Sequence, residues 1–376
     1  MVRPRYAWIA VITVIVGLAV AGCGSSGGGA TSKVTKGTGT LNGNGKKIVF
    51  FDLSKSFPFI AEQQKGAQEE AAKYGYKLQI IENTLDADQE NGQIQQYLAT
   101  GEKPAAFVWL PADPGSQVNP LRQMAQVAPV FQVDAQIQPF SDRYVTAYAG
   151  INGILKGSTN GEAALKIRAQ DQKSGRKLHS PAGNLLYIAT PKGFRLGELQ
   201  DQGWNEATKA QPFKLLRKEY SGIGAQPGYD TASQLIPRYK GQGIDYIFAT
   251  NVDTANGVVK ALKENGLQPG KDVKVIAGNC AGDLSGVIDG EIANCGIESG
   301  AAQGKTAIDE IAQYFATGKI LPGEKQLPAS REAPPVKVEP PTRSTFTPYP
   351  ETSGRGILNN CQLWGVDCVT AAGASH

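Results

Sequence analysis

Asp134 and Asn251 each stand at the end of a short apolar run, residues 129–133 and 244–249. An ionised Asp accepts hydrogen bonds strongly, and an Asn side chain both donates and accepts. Glu298 follows a third such run, residues 292–297, and Asp253 opens the helix-like segment after Asn251. Phe57 and Phe59 flank Pro58 just beyond a fourth run, residues 48–51. Acids and amides set around aromatic faces are the equipment of a binding cleft. Turn and helix capping is the competing use of Asp134, Asn251 and Asp253, and core packing is the competing use of Phe59. Asp134 and Glu298 are also a pair able in principle to do acid–base chemistry. Against catalysis, the chain has no Gly-x-Ser-x-Gly elbow, no phosphate-cradling loop and no His-rich metal motif. His179 lies in a polar loop with no partner visible in the sequence. These residues read as a binding site rather than an enzyme's.

Residues at strand ends need strands to hold them. The stretch 46–76 opens with Ile48-Val49-Phe50-Phe51, too short for a helix and rich in β-formers, as a strand buried on both faces reads. Pro58 has its φ preset for the first turn of a helix. Ala67, Ala71 and Ala72 let that helix pack closely on a sheet, and Gly75 stops it. Further apolar runs follow at 78–81, 106–110, 129–133 and 144–149, then at 184–189, 213–220, 244–249, 273–278 and 292–297. Helix-like segments lie between them at 88–99, 120–126, 198–210, 231–238 and 252–264, the last stopped by Gly266. Strand–helix alternation of this kind predicts parallel sheets, and two similar sets predict two Rossmann-like lobes of α/β class. Trp109, within a strand, and Trp204, within a helix, are expected in the cores.

The net charge of +4 falls to +2 once Arg3 and Arg5 leave with the leader, and basic residues are scattered among acids. That is no footprint for nucleic acid. A basic start, an apolar run from Ala7 to Val20 and small residues before Cys23 form a secretory signal over residues 1–22. Val20-Ala21-Gly22-Cys23 resembles the bacterial lipobox, which implies that Cys23 carries a lipid anchor to the cell membrane. An uncleaved membrane anchor is the alternative, though the run is short for a span. Residues 23–46, mostly Gly, Ser and Thr after Cys23 with little to bury, read as a flexible spacer. Without Cys23 four cysteines remain, and three pairings are open. Cys280–Cys295 and Cys361–Cys368 are favoured because each closes a short local loop. A metal site competes poorly, since His179 and His376 are the only histidines and neither lies near a Cys pair. Residues 339–376 form a Pro-rich arm whose small disulfide loop surrounds Trp364.

A polar loop, Phe57-Pro58-Phe59 and a helix containing Lys65-Gly66-Ala67 resemble the first βα unit of the type I periplasmic binding proteins, the ribose-binding kind. Phe57 stands where that family often has Asn. Residues 129–134 resemble the family's fourth strand, whose terminal Asp bonds sugar hydroxyls, with Ala135 where Arg often follows. Gly150-Ile151-Asn152 resembles the first crossing between lobes, and Phe248-Ala249-Thr250-Asn251 the strand whose final Asn binds ligand. Residues 275–280 resemble a strand usually ending Gly-Phe-Asp, with Asn279 and Cys280 as the replacements. Glu298 falls where a ligand-binding Gln often stands. The family's helical Arg falls near Gln200, so Arg195 is the cation expected instead. The resemblance covers residues 47–338 and implies lobes of 47–150 plus 300–325 and 151–299 plus 326–338, joined by a multi-strand hinge. It implies a monomer without cofactor that closes on a small polyhydroxylated ligand, a sugar or polyol, and delivers it to an ABC permease. Aromatic rings would meet the ligand's C–H faces and the polar residues its hydroxyls. A receptor of the same fold feeding a membrane sensor, or a quorum-signal uptake system, is the alternative. DNA-binding repressors share the fold, but here a secretion signal replaces their reading head.

Overall fold

The computed structural model describes residues 36–319 apart from Gln138, Ile151, Ala281, Ile297 and Ser299. Cys23, Cys361, Cys368 and the arm at 339–376 therefore lie outside the described residues. Two five-stranded parallel sheets organise the chain. The first contains β1 (Lys47–Leu53), β2 (Lys77–Asn83), β3 (Ala106–Trp109), β4 (Val130–Val133) and β5 (Ala147–Ala149), in the order β2-β1-β3-β4-β5. The second contains β6 (Asn184–Ala189), β7 (Lys214–Tyr220), β8 (Tyr246–Ala249), β9 (Lys274–Ala277) and β10 (Ile292–Asn294). Its order, β7-β6-β8-β9-β10, repeats the first one strand for strand.

Both faces of each sheet's interior are covered, which is why its inner strands are continuously apolar, whereas the edge strands β2 and β7 carry charged residues and are partly exposed. In β1, Ile48 and Phe50 face one core while Val49 and Phe51 face another. The first core is closed by α1 (Pro58–Lys73) and α9 (Gly300–Thr317), the second by α2 (Ala87–Ala99) and α3 (Val118–Val127). The second sheet is covered by α6 (Ala225–Tyr239) and α7 (Val252–Glu264) on one face. On its other face lie α4 (Gly153–Lys173) and α5 (Arg195–Thr208). Trp109 and Trp204 are both buried in these cores, and the Trp204 ring lies 4.8 Å from that of Phe248. Two helix pairs approach so closely that only glycine fits. A Cβ on Gly66 would collide with the Ala301 carbonyl oxygen, and one on Gly157 with that of Gln200.

Several boundaries differ from the sequence reading. Residues 139–144 form a 3-10 turn, so the strand expected at 144–149 is only Ala147–Ala149. β10 stops at Asn294, because the following backbone is drawn to the loop after β9: the Cys280 N–H donates to the Gly296 carbonyl at 2.5 Å. Cys280 and Cys295 are joined by a disulfide there, with Cα atoms 5.1 Å apart. α6 begins six residues earlier than residue 231, since Pro227 sits in the first turn, where no N–H is needed. The 21-residue α4 had no counterpart in the apolar pattern, because its buried face carries Lys156, Thr159, Asn160, Arg168 and Asp171. His179 does have a partner: its Nδ1 lies 2.9 Å from the buried Asp245 carboxylate.

Candidate functional site

The carboxyl ends of the strands in both sheets converge on one cavity of about 150 Å³. From the first lobe come Leu53 at the end of β1, Leu85 after β2, Leu110 and Pro111 after β3, and Asp134 and Ala135 after β4. From the second come Thr190 after β6, Ile223 after β7, Thr250 and Asn251 after β8, Asn279 after β9 and Glu298 after β10. This is where ligands meet open parallel sheets. Phe57 and Phe59, at the start of α1, and Phe194, Leu196 and Gln200, at the start of α5, complete the walls with Lys156 of α4.

The polar floor is built around Glu298. Its Oε2 accepts from Lys156 Nζ at 2.7 Å and from Asn279 Nδ2 at 3.1 Å, while Oε1 accepts from Gln303 Nε2 at 3.3 Å. Gln303 in turn accepts from Gln63 of α1 at 3.1 Å, so α1, α4 and α9 all reach the same carboxylate. Lys156 and Glu298 are both buried. Asp134 faces this pair. Burial pushes its carboxyl up to about 7, the neighbouring Glu298 carboxylate adds to the rise, and the Lys156 ammonium opposes it. Asp134 also has a left-handed backbone, φ 51°, held where the Tyr148 hydroxyl donates to its carbonyl oxygen at 2.5 Å. Such conformations in non-glycine residues persist where surrounding structure over-determines them, and they cluster at functional sites.

The structure brings eight of the nine expected ligand residues to this cavity: Phe57, Phe59, Asp134, Gln200, Asn251, Asp253, Asn279 and Glu298. Arg195 is the exception and lies outside the lining. Leu196 and Gln200, four residues apart, share the helix face turned to the cavity, and Arg195 is one residue out of phase. The cation is Lys156 instead. Asn251 has two roles, since its Oδ1 caps α7 by accepting from the Thr254 N–H at 2.8 Å while the residue lines the cavity. Asp253 is not the cap; it accepts from the Asp283 N–H at 3.0 Å, and burial raises its carboxyl. Gln200 is buried, and its Nε2 has no hydrogen-bond partner among the described residues. Sequence reasoning missed Lys156, Gln303, Thr190, Phe194 and Leu85. For Lys156 a signal existed. Asn152 caps α4 through the Leu155 N–H at 3.0 Å, which places Lys156 in the first turn, where the helix dipole disfavours a cation.

Among the described residues no cluster of three or more His, Cys, Asp or Glu side chains is arranged for a metal ion. None of the described helices is long and apolar enough to cross a membrane.

Comparison with known proteins agrees with this geometry. The periplasmic binding protein domain pattern matches residues 48–320. The galactofuranose-binding protein YtfQ of Escherichia coli (strain K12) is 23% identical over 276 residues, 73% of this chain and 83% of its own. The ribose import binding protein RbsB of Salmonella typhimurium is 23% identical over 273 residues, 71% of this chain and 82% of its own. A crystal structure of a galactofuranose binding protein superposes with a TM-score of 0.63 at 20% identity, covering 74% of this chain and 90% of that one. The chain belongs to the periplasmic binding protein family, with the two-lobed type I fold of its ribose-binding members.

Proposed function

We propose that this protein is an extracytoplasmic binding protein that holds a small sugar or polyol between its lobes and delivers it to an ABC importer. The observation that carries this reading is the convergence of strand-end residues from both lobes on one cavity with a hydrogen-bonding floor and aromatic walls. Hydroxyls are served by the carboxylates of Asp134, Asp253 and Glu298 and by the amides of Gln200, Asn251 and Asn279. Phe57, Phe59 and Phe194 supply faces for C–H surfaces. The relatives named for galactofuranose and ribose support the same ligand class.

Ligand held by both lobes stabilises the closed arrangement through contacts the open one lacks, and the permease then reads the closed shape. The site binds and releases without covalent chemistry. Lipidation of Cys23 would keep the protein at the membrane, with the residues before Thr38 as the tether. The rest of the expected 23–46 spacer packs on the first lobe: the Thr38 N–H donates to the Phe315 carbonyl at 2.8 Å and the Gly43 N–H to the Tyr74 carbonyl at 2.7 Å. Acyl chains contribute about 0.8 kcal/mol per buried CH₂. A thermal-shift screen of pentoses, hexoses, furanosides and inositols against the purified protein tests the ligand class. A midpoint raised by one or more of these, and unmoved by amino acids, supports the reading. A screen in which amino acids stabilise and no polyhydroxylated compound does would refute it.

A further inference from the structure

Apolar residues outnumber polar ones around the cavity, and they are concentrated on one side. Asp134 follows β4, whereas Leu110, Leu53 and Leu85 stand at the ends of β3, β1 and β2, the next three strands in the sheet. Three inter-strand spacings of about 4.8 Å put Leu85 roughly 14 Å along the sheet from the Asp134 position. That is longer than one sugar ring. The floor thus ends well before the cavity does, and what continues it is a wall of leucines.

Leu85 is held in place against its own preference. Its φ of 63° is left-handed, a region that bulky side chains avoid, and the residue is 39% exposed at the cavity. The turn is pinned by the Leu85 N–H donating to Asn83 Oδ1 at 2.9 Å. Asn83 is buried, and its amide donates to the Asp52 carbonyl at 3.0 Å and to Glu90 Oε1 at 3.3 Å. The same Glu90 carboxylate accepts from Trp109 Nε1 at 3.1 Å, from the Ala112 N–H at 2.9 Å and from Gln117 Nε2 at 2.7 Å. One buried carboxylate therefore fixes both the turn that carries Leu85 and the loop that carries Leu110 and Pro111. A strained, exposed leucine on so rigid a support marks a surface built for contact.

We infer that this leucine wall is a subsite for a hydrophobic substituent of the ligand. Resting on the sugar-binding reading above, the inference narrows the substrate class to glycosides. The sugar ring lies on Asp134, Lys156 and Glu298, and an alkyl or aryl group attached to it lies against Leu53, Leu85 and Leu110. An apolar group there replaces water on Leu85 and on the open part of Leu53, with the buried Leu110 as the backing behind them.

Calorimetric titration of the purified full chain with matched probes tests this: the methyl and benzyl β-D-ribofuranosides, and the methyl and benzyl β-D-galactofuranosides. In the sugar series that binds, the benzyl glycoside is expected to bind at least tenfold tighter than the methyl one. Leu85→Asn removes the apolar surface while suiting the left-handed backbone, so the fold is retained. That variant is expected to weaken the benzyl glycoside at least tenfold more than the methyl one, abolishing the benzyl advantage. Methyl glycosides binding as tightly as benzyl ones would overturn the subsite and leave the sugar-binding reading standing. Equal weakening of both probes by Leu85→Asn would overturn it too. Failure of every glycoside, together with failure of the free sugars in the thermal-shift screen, would overturn both.

Discussion

The two lobes repeat one strand order and yet present different surfaces to the cavity. The first contributes Leu53, Phe57, Phe59, Leu85 and Leu110 around a single charged side chain, Asp134. The second contributes Lys156, Gln200, Asn251, Asp253 and Asn279, with Glu298 where the chain crosses back, beside Phe194, Leu196 and Ile223. One frame, used twice, thus separates two tasks. One lobe offers almost entirely packing surface, and the other adds most of the directed hydrogen bonds to a smaller apolar wall. Neither surface alone satisfies a molecule with both hydroxyls and apolar faces, so closure is favoured when such a molecule bridges them.

The sharpest way to break this contrast is to remove the one cation on the polar side. Lys156→Ala leaves the Asp134 and Glu298 carboxyls facing one another in a buried site. Breaking a buried pair by deleting one partner costs roughly 3–5 kcal/mol. Urea denaturation should show that loss, and a change below about 1 kcal/mol would mean the pair is not what holds the floor together. On the aromatic side, Trp204→Ala and Phe57→Ala should separate core from wall. Trp204 is 4% exposed, and its truncation should lower stability by about 3–5 kcal/mol. Phe57 is 37% exposed, so its truncation should leave stability within about 0.5 kcal/mol and act on affinity. A large stability loss at Phe57 would make it a core residue after all.

A separate effect comes from pH. Burial pushes both the Asp134 and Glu90 carboxyls up to about 7, against roughly 4 in an unfolded chain. Between those values the folded protein binds more protons than the unfolded one. The stability this contributes is full below about pH 4 and is lost as pH rises through about 7. The thermal midpoint should therefore fall by several degrees between pH 5 and pH 8. A midpoint that rises over that interval contradicts the assigned direction.

Much of the frame was legible in the chain because strands covered on both faces carry their own signature. β6 at 184–189 and α7 at 252–264 have in the structure the bounds their residue patterns predict. So was the placement of polar residues at strand ends, since Asp134 directly follows one apolar run and Asn251 lies two residues past another. What stayed hidden depends on helix rotation and on crossings between lobes. α4 buries a lysine, an arginine and an aspartate, so no apolar stripe announces it. Lys156 and Glu298 are 142 residues apart and meet only because two crossings bring their segments together. Charge alone points to Arg195, whereas the rotation of α5 selects Leu196 and Gln200. The leucine wall escaped notice because each of its members ends a different strand, and singly each reads as core.

With Asp134 from the first lobe and Asn251 from the second lining the same cavity, one ligand is expected to be gripped by both lobes at once. Titration calorimetry of wild type, Asp134→Ala and Asn251→Ala with D-ribose and methyl β-D-galactofuranoside tests it most directly. Each truncation leaves a ligand hydroxyl unpaired in a closed cleft, at roughly 1–3 kcal/mol. Affinity for the sugar that binds wild type should therefore fall by about one to two decades in each variant. Unchanged affinity in both would place the ligand elsewhere and contradict the account.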